Sequence, residues 1–182
     1  MERAQERPPD VIGAAERLLR PRARARLAAK RALDVALALA MLVALVPLIA
    51  LAAVLLVGRG GWLERRERLG RDGRVLRLWR FRALPGRVGR VLDRAGVREL
   101  PLLVSVMGGG LSFVGPRALP LDERDHGPRR LMTPGLIGPA QRWATDAATA
   151  AELDDAYVED WSLRGDLRLL TSLQRRPVAV RR

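Results

Sequence analysis

The sequence contains no cysteine, one histidine (His126) and one lysine (Lys30). The first absence removes disulfides and thiolate nucleophiles. A lone histidine excludes a His/Cys metal centre and argues against a Ser-His triad, since each needs several such groups in defined company. Aromatic residues are scarce, with four Trp, two Phe and one Tyr, and none forms the cluster that stacks on RNA bases. Nucleic acid is therefore not an expected partner. Neither a P-loop nor a GxGxxG motif is present, and no internal repeat is visible. Acidic residues are in deficit, 20 against 33 basic ones, for a net charge of +13. Such a surface suits anionic lipid or phosphorylated substrates. The 182 residues are enough for one domain of ordinary size.

What the chain has in abundance is one apolar run. Residues 35–57, VALALAMLVALVPLIALAAVLLV, carry no charge, no polar group and no glycine. As a helix the run would extend roughly 34 Å, enough for a bilayer core of about 30 Å. A soluble helix apolar on all sides needs burial all round, which a domain this small can hardly supply. About 30 residues precede the run and no small-residue cleavage site follows, which argues against a signal peptide. Its flanks are both basic: nine basic and five acidic residues over 1–34, then nine arginines and three acids over 59–82. A single span favours basic residues on one side. Pro47 offers a way to keep both ends on one face, because a proline lacks its N–H and kinks a helix. A kinked transmembrane helix and a re-entrant dip both remain open on these grounds.

Elsewhere the pattern is mainly helical. Residues 1–29 read as a basic arm. LRL (76–78) with Trp79 and Phe81 predicts a short strand after a turn at GRDG (70–73). VGRVLDRAG (88–96) predicts a helix capped by Gly96, and LPLLVSVMGGG a short helix leading into a glycine loop. SFVGPRALP (112–120) and TPGLIGPAQ (133–141) read as loops. Residues 146–173 predict one or two amphipathic helices, with Asp146 or Thr149 at the start. Arg80 and Arg82, two apart on a strand, predict two guanidiniums on one side, a fork suited to diphosphate oxygens. Gly115-Pro116-Arg117 places a fixed cation in a stiff loop.

The order of these segments resembles the bacterial sugar transferase family, the small monotopic polyprenyl-phosphate phosphoglycosyl transferases. KRALD (30–34) before the proline-bearing run is similar to the family's Lys-Arg-x-x-Asp opening. RFRAL (80–84), VGRVLDRAGVRELPLL (88–103), GGGLSFVGPRAL (108–119), TPGLIGPAQ (133–141) and DDAYVEDWSLRGDLRLLTSL (154–173) follow in the family's order. The resemblance implies a mainly α fold with a small β-hairpin. It implies a proline-broken re-entrant membrane helix over 30–58 and a compact cytoplasmic helical domain over 59–173, between the arm 1–29 and a basic tail 174–182. Lys30, Arg31 and Pro47 would belong to the membrane element. The implied activity is transfer of a sugar 1-phosphate from a UDP-sugar to polyprenyl phosphate with Mg2+, at the cytoplasmic face of the bacterial inner membrane, in exopolysaccharide or glycan assembly. Membrane lipids, a second copy of the chain or pathway glycosyltransferases are further candidate partners.

The resemblance also locates site residues and departures. Arg80, Arg82, Gly115, Pro116, Arg117, Gln141, Arg142 and Asp166 fall on substrate-binding motifs. The family's nucleophilic aspartate is replaced by Arg98, with Glu99 beside it, and the aspartate of GDM is Gly110. Only Pro85-Gly86-Arg87 separates Leu84 from Val88, where the family carries a longer insert. Asp93 stands where the family has an arginine, which predicts an Asp93–Arg98 salt bridge of reversed polarity. The carboxylates left for nucleophilic work are Glu99 and, behind it, Asp93, with Glu99 also the candidate metal ligand. Two classes follow: a transferase with a relocated carboxylate, or a catalytically inactive member acting as a membrane-bound binding or scaffold protein.

Overall fold

The structure, a computed structural model, describes residues 10–56, 63–83, 85–123 and 127–171. His126 and the tail 174–182 lie outside them. The chain opens with helix α1 (Val11–Leu19), whose N-cap Asp10 accepts from the Gly13 amide at 2.8 Å. Helix α2 follows over Pro21–Leu56, with Pro21 at a first-turn position where its missing N–H costs nothing. It runs without interruption through Pro47, so the first turns of α2 belong to the stretch read as the arm.

One stripe of α2 is covered and the other is not. Lys30, Asp34 and Ala38 are buried, and Met41, Leu42, Leu45, Leu48 and Ile49 pack against the core. This spacing of three and four residues is one helix face. On the opposite side Leu39, Val43, Val46, Leu51 and Val54 are exposed. The most apolar stretch has a mean hydropathy of 2.5, and only 11 % of it is buried. The chain thus carries one helix long and apolar enough to cross a membrane, largely uncovered by the rest of the fold. It is a mainly helical, membrane-associated protein with a small hairpin.

That hairpin pairs β1 (Leu63–Leu69) with β2 (Val75–Phe81), antiparallel, from Leu69 opposite Val75 to Leu63 opposite Phe81. Its turn is a short 3-10 segment in which Asp72 and Gly73 have positive φ. Helix α3 (Gly86–Arg94) ends before Gly96, whose φ of 72° is left-handed and suits a residue without Cβ. A 3-10 turn, Val97–Glu99, leads into α4 (Leu102–Met107). Val97, Leu100, Leu103 and Val106 form the core beneath α2 together with Phe81 and Val114.

The two stretches read as loops each contain a strand. Here β3 (Ser112–Val114) lies parallel to β4 (Gly135–Ile137). Three residues are too few for a period-two signal, and flanking glycines and prolines hide them. The glycines permit the pairing: a Cβ on Gly115 would lie 2.5 Å from the Thr133 oxygen. Helices α5 (Pro139–Trp143), α6 (Ala147–Glu159) and α7 (Leu163–Thr171) complete the chain. Asp146 caps α6 by accepting from the Thr149 amide at 2.8 Å; this bond chiefly lowers its pKa.

Candidate functional site

Glu99 ends the 3-10 turn that Gly96 opens, so it projects beside the edge of the hairpin. Its Oε2 lies 2.9 Å from Arg80 Nε, an ion pair without the alignment of a hydrogen bond. The Glu99 side chain remains 42 % exposed, although Oε2 itself is buried against Arg80. Arg98 turns the other way. Its Nη2 donates to Glu64 Oε1 at 2.6 Å and its Nε to the Phe81 carbonyl at 3.0 Å. Arg66 Nε approaches the same Glu64 oxygen at 3.3 Å. The expected Asp93–Arg98 bridge is therefore corrected: Arg98 pairs with Glu64, and Asp93 lies exposed on α3. The spacing of five carries Asp93 around α3 and past the left-handed Gly96, away from the hairpin.

The result is a patch of three guanidiniums, from Arg66, Arg80 and Arg98, over two carboxylates. Glu64 was missed in the sequence reading. Counting back from the GRDG turn places it opposite Arg80 in the strand register, and that count was the available signal. Arg82 lies one residue beyond β2, exposed, with no ion pair among the described residues.

Arg117 heads a second polar node. Its Nη2 donates to Glu123 at 2.7 Å, its backbone amide donates to Asp154 Oδ2 at 3.2 Å, and its Nε lies 3.5 Å from that oxygen. Asp154 is fully buried. Burial pushes its carboxyl up to about 7, against the pull of the Arg117 hydrogen bond and charge. Arg117 borders a cavity of about 370 Å³ with Pro116, Arg129 and Arg130. Gly115 and Pro116 are buried, so their part is to set the β3–β4 approach rather than to touch solvent. Gln141 donates to the Gly135 carbonyl at 3.1 Å and thereby braces β4. Arg142 is exposed on α5.

Asp166 and Lys30 join the two ends of the fold. Lys30 Nζ lies 2.8 Å from Asp166 Oδ2 and donates to the Val114 carbonyl at 2.8 Å. Asp166 also accepts from Tyr157 at 2.7 Å and Trp161 at 3.2 Å. Asp34, one turn from Lys30, accepts from Ser112 Oγ and the Phe113 amide. The opening and closing motifs thus meet in one buried network that docks α2 on the domain. Arg31 donates to the carbonyls of Val106 and Met107, the unpaired end of α4 where a cation is favoured.

For Mg2+ the donor set is thin. Among the described residues no three acidic or imidazole side chains gather, and both carboxylates of the patch already face arginine. The described residues do not offer a metal cage.

Comparison with known proteins agrees with this architecture. The sequence matches the family described as bacterial sugar transferase over residues 25–87 and 85–176. It is 28 % identical over 177 residues to a UDP-glucose:undecaprenyl-phosphate glucose-1-phosphate transferase of Escherichia coli, covering 78 % of this chain and 38 % of that protein. A protein of the same name from Caulobacter vibrioides is 31 % identical over 179 residues, with 78 % and 66 % covered. The exopolysaccharide production protein PSS of Rhizobium leguminosarum is 29 % identical over 181 residues, with 78 % and 90 % covered. By a family match that takes in most of its length, the chain belongs to the bacterial sugar transferase family.

Proposed function

We propose that the chain transfers a sugar 1-phosphate from a UDP-sugar to polyprenyl phosphate, with Glu99 as nucleophile. The observation that carries this is the partly exposed Glu99 side chain, its Oε2 held at 2.9 Å by Arg80 beside two further guanidiniums. A Glu99 oxygen attacks the β-phosphorus, forming an acyl phosphate as the bond from that phosphorus to the bridging oxygen breaks. UMP leaves with the bridging oxygen. An oxygen of polyprenyl phosphate then attacks the same phosphorus, releasing Glu99 and forming a polyprenyl diphosphate sugar. Covalent catalysis divides one displacement into two, and the arginines stabilise charge on the transferring group. Mg2+ in this reading accompanies the nucleotide's diphosphate, as this ion commonly does.

The packing of α2 supports a dip at the cytoplasmic face of the inner membrane. The domain covers one side of the apolar run as far as Ile49. Residues 50–56 beyond it extend only about 10 Å as a helix, less than half a bilayer core. Pro47, inside α2, is the position at which such a path would bend.

A second reading rests on Arg98. It occupies the position of the family's nucleophile and is pinned by Glu64 and the Phe81 carbonyl, as befits a silent member that holds nucleotide, lipid phosphate or an enzyme partner. One assay separates the two. Purified chain is incubated with UDP-glucose and other UDP-sugars, polyprenyl phosphate and Mg2+, and UMP is measured. UMP released by the wild type and abolished in Glu99→Gln supports transfer. No UMP from any donor supports the silent scaffold.

A further inference from the structure

We infer that a cavity at the foot of α2 binds one anionic phospholipid, at a site separate from the Arg80–Glu99 patch. The cavity is about 630 Å³, in the range of small-molecule sites. Its walls come from the end of α1, the first turns of α2, the glycine loop and residues 131–133. Leu18 and Leu19 of α1 line it together with Arg24; these three lie ahead of the residues matched by the family, and the rest of the lining lies within them.

The lining is divided in character. Leu18, Leu27 and Leu131 supply apolar wall, while Arg24, Arg31 and Arg71 supply charge. Arg31 is bound to neutral carbonyls, and among the described residues Arg24 faces no carboxylate. Arg71 pairs, among the described residues, with its exposed neighbour Asp72 at 3.4 Å. Lys30 and Asp34 also line the space but are committed to the docking network. An adjoining cavity of about 500 Å³ shares Arg71, Gly109 and Thr133 and adds Arg74. Leucines and arginines lining one space fit an amphiphile with a phosphate head.

Position selects the occupant. Arg24 to Asp34 is the stretch of α2 immediately before the apolar run, and Leu19 beside it is 69 % exposed. If α2 enters the bilayer at Val35, the cavity lies at headgroup depth, where basic residues attract anionic lipid. The inference rests on the membrane association of α2 and not on turnover. Glu99 lies before the start of α4 and the glycine loop after its end, so the two sites are separated by a helix of roughly 9 Å.

The test uses the full chain in nanodiscs of phosphatidylcholine with or without phosphatidylglycerol, released for native mass spectrometry. The wild type should retain one phosphatidylglycerol. Arg24→Glu and Arg71→Glu should each lower retention about fivefold. Arg90→Glu, a charge reversal on α3 outside the cavity, should leave it unchanged. Unfolding midpoints in pure phosphatidylcholine verify folding, and Leu131→Gln on the apolar wall provides a further variant with the same expected loss. Retention unaffected by the cavity variants, or lowered equally by Arg90→Glu, overturns the site. So does inorganic phosphate giving the same stabilisation, or polyprenyl phosphate displacing the phospholipid one for one. UMP release is not the readout, so this result stands apart from that of the transferase assay.

Discussion

Arg98 and Glu64 are bound to each other across 34 residues of chain, Nη2 to Oε1 at 2.6 Å. The bridge, with the Nε bond to the Phe81 carbonyl, ties the hairpin to the turn that presents Glu99. Arg98 is thus a strut, and the Glu99 side chain next to it stays partly exposed.

Arg98→Ala should therefore loosen the hairpin. Charge-assisted bonds of this kind contribute about 2 kcal/mol each way, so a loss of about that size is expected in chemical unfolding. A double-mutant cycle with Glu64→Gln should return a coupling of about 1 kcal/mol or more. Strictly additive effects would show that the bridge contributes nothing.

Asp166→Asn should cost more, about 3 kcal/mol, because it leaves the buried Lys30 charge with the Val114 carbonyl and, as counter-charge, the longer Asp34 contact at 3.9 Å. The measurement is the unfolding midpoint in detergent. Helix α2 should also become more accessible to protease at its first turns, since the network is what docks it. Wild-type stability in this variant would remove the docking role.

Gly115→Ala and Gly73→Ala separate two uses of glycine. A Cβ on Gly115 would lie 2.5 Å from the Thr133 oxygen and 2.7 Å from the Gly135 nitrogen, so β3 and β4 must part. Gly73 has a φ of 72° with open space around it, which costs about 1 kcal/mol. The first variant should fail to accumulate folded protein; the second should fold with a slightly lower midpoint.

Asp154 predicts a pH dependence. Its carboxyl titrates near 7 in the fold against 3.8 for the free group. Between these values the native state holds a proton that the unfolded chain has lost. Stability contributed at this site is therefore present below about pH 4 and lost as pH rises through about 7. Asp154→Asn should remove that component of the slope, measured as unfolding midpoints from pH 4 to about 8. An unchanged slope would assign it elsewhere.

Much of this was legible in the sequence for physical reasons. The apolar run, the GRDG turn, the cap at Asp146 and the left-handed Gly96 are local features, and each falls where the pattern placed it. The parallel β3–β4 pair was not, because three-residue strands separated by about 20 residues carry no period. Asp166 read as a substrate group from its motif alone; its contact with Lys30 spans most of the chain and has no local signature. The Asp93–Arg98 pairing follows from an apparent charge exchange against the family pattern, whereas packing of the Val97–Glu99 turn on the hairpin brings Glu64 to Arg98.

The account turns on whether Glu99 takes the phosphosugar. The direct measurement is covalent capture: the chain is mixed with UDP-glucose labelled at the β-phosphorus, without lipid acceptor, and digested for mass spectrometry. An acyl phosphosugar on the peptide containing Glu99, absent from Glu99→Gln and discharged by polyprenyl phosphate, is the expected result. No adduct in the wild type, or the same adduct in Glu99→Gln, would contradict it.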